Sequence, residues 1–184
     1  MTVTMFKWSL DRYHEALVKG SIREDDRIEL LRGDLVVMSP EREPHAYYTS
    51  KVSDYLRELL GTQVKVREGH PITLPNNSEP EPDIAIVQPL GKEYLNHHPY
   101  PENIFWIIEF SNTSLEKDLG LKKSIYAEAK IQEYWVANLK GSELKVFRNL
   151  SNDNYTEELT LTTGTISPLP FPKILIEVQQ LIFS

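Results

Sequence analysis

The chain has 184 residues, 40% hydrophobic and 26% charged, which fits one globular domain spanning 1–184 and able to bury roughly 70% of its unfolded surface. It carries no cysteine, which excludes disulfides, thiol nucleophiles and thiolate metal sites, and a net charge of -7 argues against a strong constitutive nucleic-acid binder. No apolar run of 18 residues and no leader-like start occur, so no membrane partner and a cytoplasmic location are expected.

Taken in order, SLDRYHEALV over 9–18 predicts a short helix with Ser9 as N-cap, stopped at Gly20-Ser21. RIELLRGDLVVMSP predicts two short strands about a turn at Arg32-Gly33-Asp34, where the glycine supplies a positive φ. After the loop EREP, residues 45–60 carry Tyr48, Val52, Tyr55, Leu56 and Leu59 at helical steps, closed by Gly61. QVKVREG alternates as a strand, and HPITLPNNSEPEP is a proline-punctuated connection. Residues 83–87 read as a short apolar strand, central in a sheet, and 88–103 as a surface loop. Residues 104–110 are the most apolar run and predict the buried core strand.

Thr113 and Glu116 stand in capping-box spacing and open a helix to about Lys130. Residues 133–138 predict another strand, 143–148 with 154–160 a hairpin, and ILIEVQQLIF either strand or helix. The sum is an α/β (α+β) fold, a mixed central β-sheet flanked by helices.

Two strands each carry one acid, Asp83 entering the first and Glu109 near the end of the second. On a wheel of 100° per residue, Leu115, Leu119, Tyr126 and Ala129 share one helix face and Lys122 falls at its centre. Asp118 and Ile125 flank that face, Lys123 lies at its other edge, and Lys117 and Glu128 point to solvent. A mid-face lysine is either a snorkelling stem or a paired charge, because burying an ammonium alone is costly. If the two strands are adjacent, their carboxylates converge beside the helix start and can hold Mg²⁺ (or Mn²⁺) with several waters kept. A neighbouring lysine can then orient or deprotonate an attacking water, or neutralise charge on a phosphate.

Pro82-Asp83, Glu109 and Lys122 resemble the dispersed signature of the PD-(D/E)XK nuclease superfamily. More closely, IELLRGDLVVMSP with His45 following, SEPEPDIAIV, IIEFSNTSLEKDLGLKKSIYAEAKIQEYWVAN and the tail resemble the Uma2 family of restriction-endonuclease-like proteins, over nearly the whole chain. The resemblance implies a restriction-endonuclease-like fold and Mg²⁺-dependent hydrolysis of DNA phosphodiesters. Asp83 and Glu109 would hold the metal, with the Phe110 carbonyl as a further donor, and Lys122 would serve the nucleophilic water. The usual superfamily pattern has its lysine two residues beyond the strand acid, where this chain has Ser111. The Uma2 pattern moves it to the helix, which matches Lys122, with Lys123 the weaker candidate.

His45 matches a histidine of that family, and its two readings are contact with a phosphate or metal-bound water and a local helix-end hydrogen bond. Glu29 also matches a family position and is expected to make a structural hydrogen bond. Glu79 and Glu81 either widen the acidic site or sit solvated in the loop. His70, His97 and His98 lie in loops without zinc-like spacing. Of Tyr134 and Trp135, one is expected to face a core. Arg42, Lys51, Lys65 and Arg67 are expected near the cleft mouth. Besides DNA as substrate, a homodimer stays open, as do a non-catalytic interaction protein on the same fold and hydrolysis of another phosphate ester.

Overall fold

The computed structural model describes residues 4–112 and 114–182. Its centre is β5, Ile104–Ser111, flanked by β4, Ile84–Val87, and β6, Glu133–Asn138, both buried along their whole length. The six-stranded sheet runs β3-β4-β5-β6-β7-β8, with β3 Lys65–Glu68, β7 Glu143–Ser151 and β8 Asn154–Leu161. β5 and β6 are parallel and the other neighbours antiparallel. A parallel pair needs a long crossover, and the helical stretch between β5 and β6 supplies it. The sheet is therefore mixed, as the pattern of strands and helices predicts.

Alternation along the strands builds two cores. Trp106, Ile108 and Phe110 face the side covered by α2, Glu43–Leu60, and α5, Val178–Ile182, where Val52, Leu56 and Leu181 pack. Ala85, Ile107 and Tyr134 face the opposite side, against Ile125, Tyr126 and Ala129 of the crossover. Trp135 is in the first core and Tyr134 in the second, so both aromatics are buried, one on each face.

A β-hairpin of β1, Ile28–Leu31, and β2, Asp34–Val37, lies outside the main sheet. Its two-residue loop puts Arg32 at φ +49 and Gly33 at φ +77, the mirror-type turn that matches strand twist. A Cβ on Gly33 would also come within 2.8 Å of the Trp8 carbonyl oxygen. The first helix, α1, spans Leu10–Val18, and the Ser9 hydroxyl accepts from the Arg12 amide at 3.3 Å. α2 starts two residues earlier than its apolar pattern, because Pro44 is tolerated in a first turn where its missing N–H has no partner to lose. The final segment is both alternatives in turn: β10, Ile176–Glu177, pairs with β9, Thr165–Ile166, and α5 follows.

The crossover departs most from its expectation. It consists of a turn, α3, Leu115–Lys117, a π turn over Asp118–Lys122, and α4, Lys123–Glu128. The expected cap at Thr113 lies outside the described residues. A π turn closes i to i+5, so residues five apart stack where a wheel of regular pitch stacks residues four apart.

Candidate functional site

Across the antiparallel β4–β5 pair Ile84 faces Ile108, and one step further the register sets Asp83 beside Glu109. Strand alternation puts both side chains on the crossover's face of the sheet. The Asp83 amide lies 3.4 Å from Glu109 Oε2, and the Phe110 amide donates to Asp83 Oδ2 at 2.6 Å. Lys122 reaches over from the crossover and donates to Glu109 Oε1 at 2.8 Å, joined there by the Tyr126 hydroxyl at 2.8 Å. Tyr126 follows Lys122 by four residues, one regular turn, so both meet the same oxygen. Asp83, Glu109 and Lys122 therefore come together, and Lys122 does not snorkel: it is 6% exposed.

Lys123 points elsewhere, with its ammonium 4.5 Å from the centroid of the Phe147 ring. Ser111 shares the strand face of Glu109, and its hydroxyl donates to the buried Asp118 at 2.5 Å. The position where the usual pattern has lysine is thus a hydroxyl that ties the helix start to β5. The cation comes from the helix instead.

His45 enters from the first turn of α2. Its Nε2 lies 2.9 Å from Asp83 Oδ2 and its Nδ1 2.9 Å from Glu41 Oε1. The hydrogen bond to Asp83 pushes its pKa up to about 9 against the opposing effect of burial. It is charged near neutral pH and donates to both carboxylates, so both nitrogens are engaged with protein oxygens. Burial pushes the Glu109 carboxyl up, with Asp83 and Asp118 adding to the rise and Lys122 opposing it. Burial works against the Lys122 charge, but Glu109, Glu29, Asp118 and Asp83 together hold its pKa above the usual lysine range.

These groups line a cleft of about 970 Å³ between the β1–β2 hairpin, the start of α2 and the crossover. Three further residues come to it that sequence reasoning did not assign to the site. Glu29 on β1, 1% exposed, pairs with Lys117, lies 4.0 Å from Lys122 and 3.4 Å from the Glu81 amide. Lys117 lines the cleft rather than pointing to solvent, and Asp118 sits under the two serine hydroxyls of Ser111 and Ser114. Glu29 was legible as a family position, but the partnership with Lys117 depends on the π turn, which leaves no mark in the spacing. Glu81 lines the cleft, its carboxyl pushed up by burial, whereas Glu79 is buried on His14 and Thr73 away from it. Arg42 lines the cleft; Lys65, Arg67, His70, His97 and His98 do not.

Among the described residues no three of His, Cys, Asp and Glu converge as metal ligands. A hard ion that needs few protein oxygens is the kind that Asp83 and Glu109 fit. Among the described residues the side-chain hydrogen bonds of Asp83 go to Oδ2, leaving Oδ1, and Glu109 Oε2 has only the long contact to the Asp83 amide. Among the described residues no helix is long and apolar enough to cross a membrane.

Comparison with solved structures finds the same fold in a crystal structure titled as a putative nuclease belonging to DUF820 from Anabaena variabilis. It is 12% identical, with a TM-score of 0.75 over 94% of this chain and 96% of that one. No curated protein matches the chain. The family model Uma2, described as "Putative restriction endonuclease", matches residues 10–179, so the chain belongs to the Uma2 family.

Proposed function

We propose that this protein is a divalent-metal-dependent endonuclease that hydrolyses DNA phosphodiesters, working at the base of the hairpin–crossover cleft. The observation that carries the reading is the meeting of Asp83, Glu109 and Lys122 there, with Lys122 Nζ 2.8 Å from Glu109 Oε1. Asp83 and Glu109 would hold Mg²⁺ or Mn²⁺. The Phe110 carbonyl is a third donor, because a strand residue's N–H and C=O share a side and its amide turns to Asp83. Such an ion supplies charge neutralisation at the phosphate and a nucleophilic water at neutral pH.

Lys122 keeps its proton in this surrounding, so it acts as a donor: it orients the attacking water or neutralises charge building on the phosphate oxygens. Tyr126 fixes Glu109 from the side of Lys122. His45, charged and held by Glu41, orients Asp83 rather than touching substrate. The test is cleavage of plasmid, linear and branched DNA in Mg²⁺ and in Mn²⁺. Cleavage that Lys122→Met abolishes in a folded protein supports the reading, and a parent that cleaves none of the three overturns it.

One observation favours a second reading, a nuclease-fold protein that binds a partner without cutting. Seven of the cleft-lining residues are Asp or Glu against four Lys or Arg, on a chain of net charge -7. Under that reading DNA binding is absent with metal present.

A further inference from the structure

Resting on the endonuclease reading, we propose that Lys117 is a second lysine of the site, contacting a substrate phosphate beside the one under attack, and that the π turn is what brings it there. Five residues separate Lys117 from Lys122. On a regular helix that spacing sets them about 140° apart, and Lys117 faces solvent. In the π turn Asp118–Lys122 residues five apart stack, and both lysines reach Glu29, Lys117 at Oε1 and Lys122 4.0 Å from Oε2.

The two ammonium groups differ in what they have left to offer. The Lys122 side chain is 7% exposed and shared between Glu109 and Glu29. The Lys117 side chain is 32% exposed and lines the cleft. An ammonium has three donors and Glu29 takes one, which leaves donors for a further partner. Glu29 is 1% exposed and anchored by β1, so it holds a long, flexible side chain in place before substrate arrives. A cation held in place in the cleft is a ready partner for an anionic group, and a phosphate of the substrate backbone is one.

The experiment measures binding of a labelled DNA oligonucleotide in Ca²⁺ across a salt series, with steady-state cleavage in Mg²⁺. Lys117→Gln is expected to weaken binding about five- to tenfold at low salt and to reduce the salt slope by about 0.7 to 0.9. Turnover at saturating DNA should change less than about threefold, a uniform-binding effect. Lys117→Arg should restore most of the affinity. Because Lys117→Gln leaves Glu29 with less compensation, the double variant Lys117→Gln/Glu29→Gln is made as well, and should regain stability without regaining affinity. Unchanged affinity and slope with a lowered melting temperature would mean that Lys117 is only the counterion of Glu29, and overturns the proposal. A parent that neither binds nor cuts DNA overturns the endonuclease reading too, which distinguishes the two failures.

Discussion

The sheet carries two buried acids, each with a basic partner, and their surroundings are opposite. Glu133, at the start of β6, is fully buried and both its oxygens are saturated. Oε1 accepts from the Trp135 indole and the Arg148 Nε, each at 2.7 Å, and Oε2 accepts from the Leu169 amide at 2.7 Å. Arg148 is used up in turn, its other arm donating to the Ser167 carbonyl at 2.5 Å. Glu109 is as deeply buried, but among the described residues its Oε2 has only a 3.4 Å contact, and it opens on the cleft beside a second carboxylate. A saturated carboxylate ties strands and a loop together. One with an oxygen left over, next to another acid, is suited to a cation.

The sharpest way to break this contrast is to neutralise each pair. Lys122→Met should lower cleavage by about a hundredfold or more, while the fold persists, because Glu109 keeps the Tyr126 hydroxyl, and Lys122, unlike Arg148, ties no further loop to the sheet among the described residues. Arg148→Met should do the reverse. It leaves the ties of Glu133 broken and costs about 3–5 kcal/mol, a melting shift of roughly 10 °C, with cleavage per folded molecule near the parent's. Assayed side by side by thermal melting and plasmid cleavage, the contrast is wrong if Arg148→Met is stable and inactive, or if Lys122→Met cuts DNA normally.

A smaller effect separates metal from fold. Asp83→Asn removes a carboxylate charge while keeping a side chain that the Phe110 amide can still meet. Titration calorimetry with Mn²⁺ should show affinity down at least about tenfold, with a fall in melting temperature no larger than that of His45→Gln, since both variants lose the same contact. Glu133→Gln should leave Mn²⁺ binding alone.

How much of this was legible beforehand follows the physics of each signal. Strand acids were legible because a charged residue at the end of an apolar run stands out, and period-two alternation then gives them a common face. Lys122 was legible because burying a lone ammonium is costly, so a lysine in an apolar face calls for a partner. Lys117 was not, since the wheel assumes one pitch and the π turn between Lys117 and Lys122 breaks it. Tyr126 was read as apolar packing, and its hydroxyl on Glu109 depends on a distance no periodicity carries. Pairings such as Glu133–Arg148 across β6 and β7 come from register, which the sequence leaves open until the strands are aligned.

The acid pairs also differ in pH response, through His45 on the site side. In the metal-free protein its pKa is raised to about 9 from its ordinary value. A raised pKa means that the stabilisation is fully present below the unfolded value of about 6.5 and fades as pH rises through 9. The gap in melting temperature between parent and His45→Gln should therefore be widest between about pH 5 and 6.5 and close above 9. A gap that grows toward alkaline pH would mean that the histidine is bound neutral and does not orient Asp83 as a cation.

The smallest effect comes from Lys123, next to the residue with the largest. Its ammonium lies over Phe147 and 4.0 Å from Glu158, and its side chain is one-third exposed. A cation over an aromatic face at such a site contributes about 0.5–1 kcal/mol, and the exposed ion pair adds little more because water and salt screen it. Methionine keeps the stem on the ring and adds a favourable sulfur contact, offsetting part of the loss. Lys123→Met should thus melt within about 2 °C of the parent and cleave DNA at the parental rate. Its value lies in the comparison with Lys122→Met, which removes the same charge one residue away on the same helix. If both variants lose cleavage equally, net helix charge rather than the contact to Glu109 governs activity, and the assignment of Lys122 to the site fails.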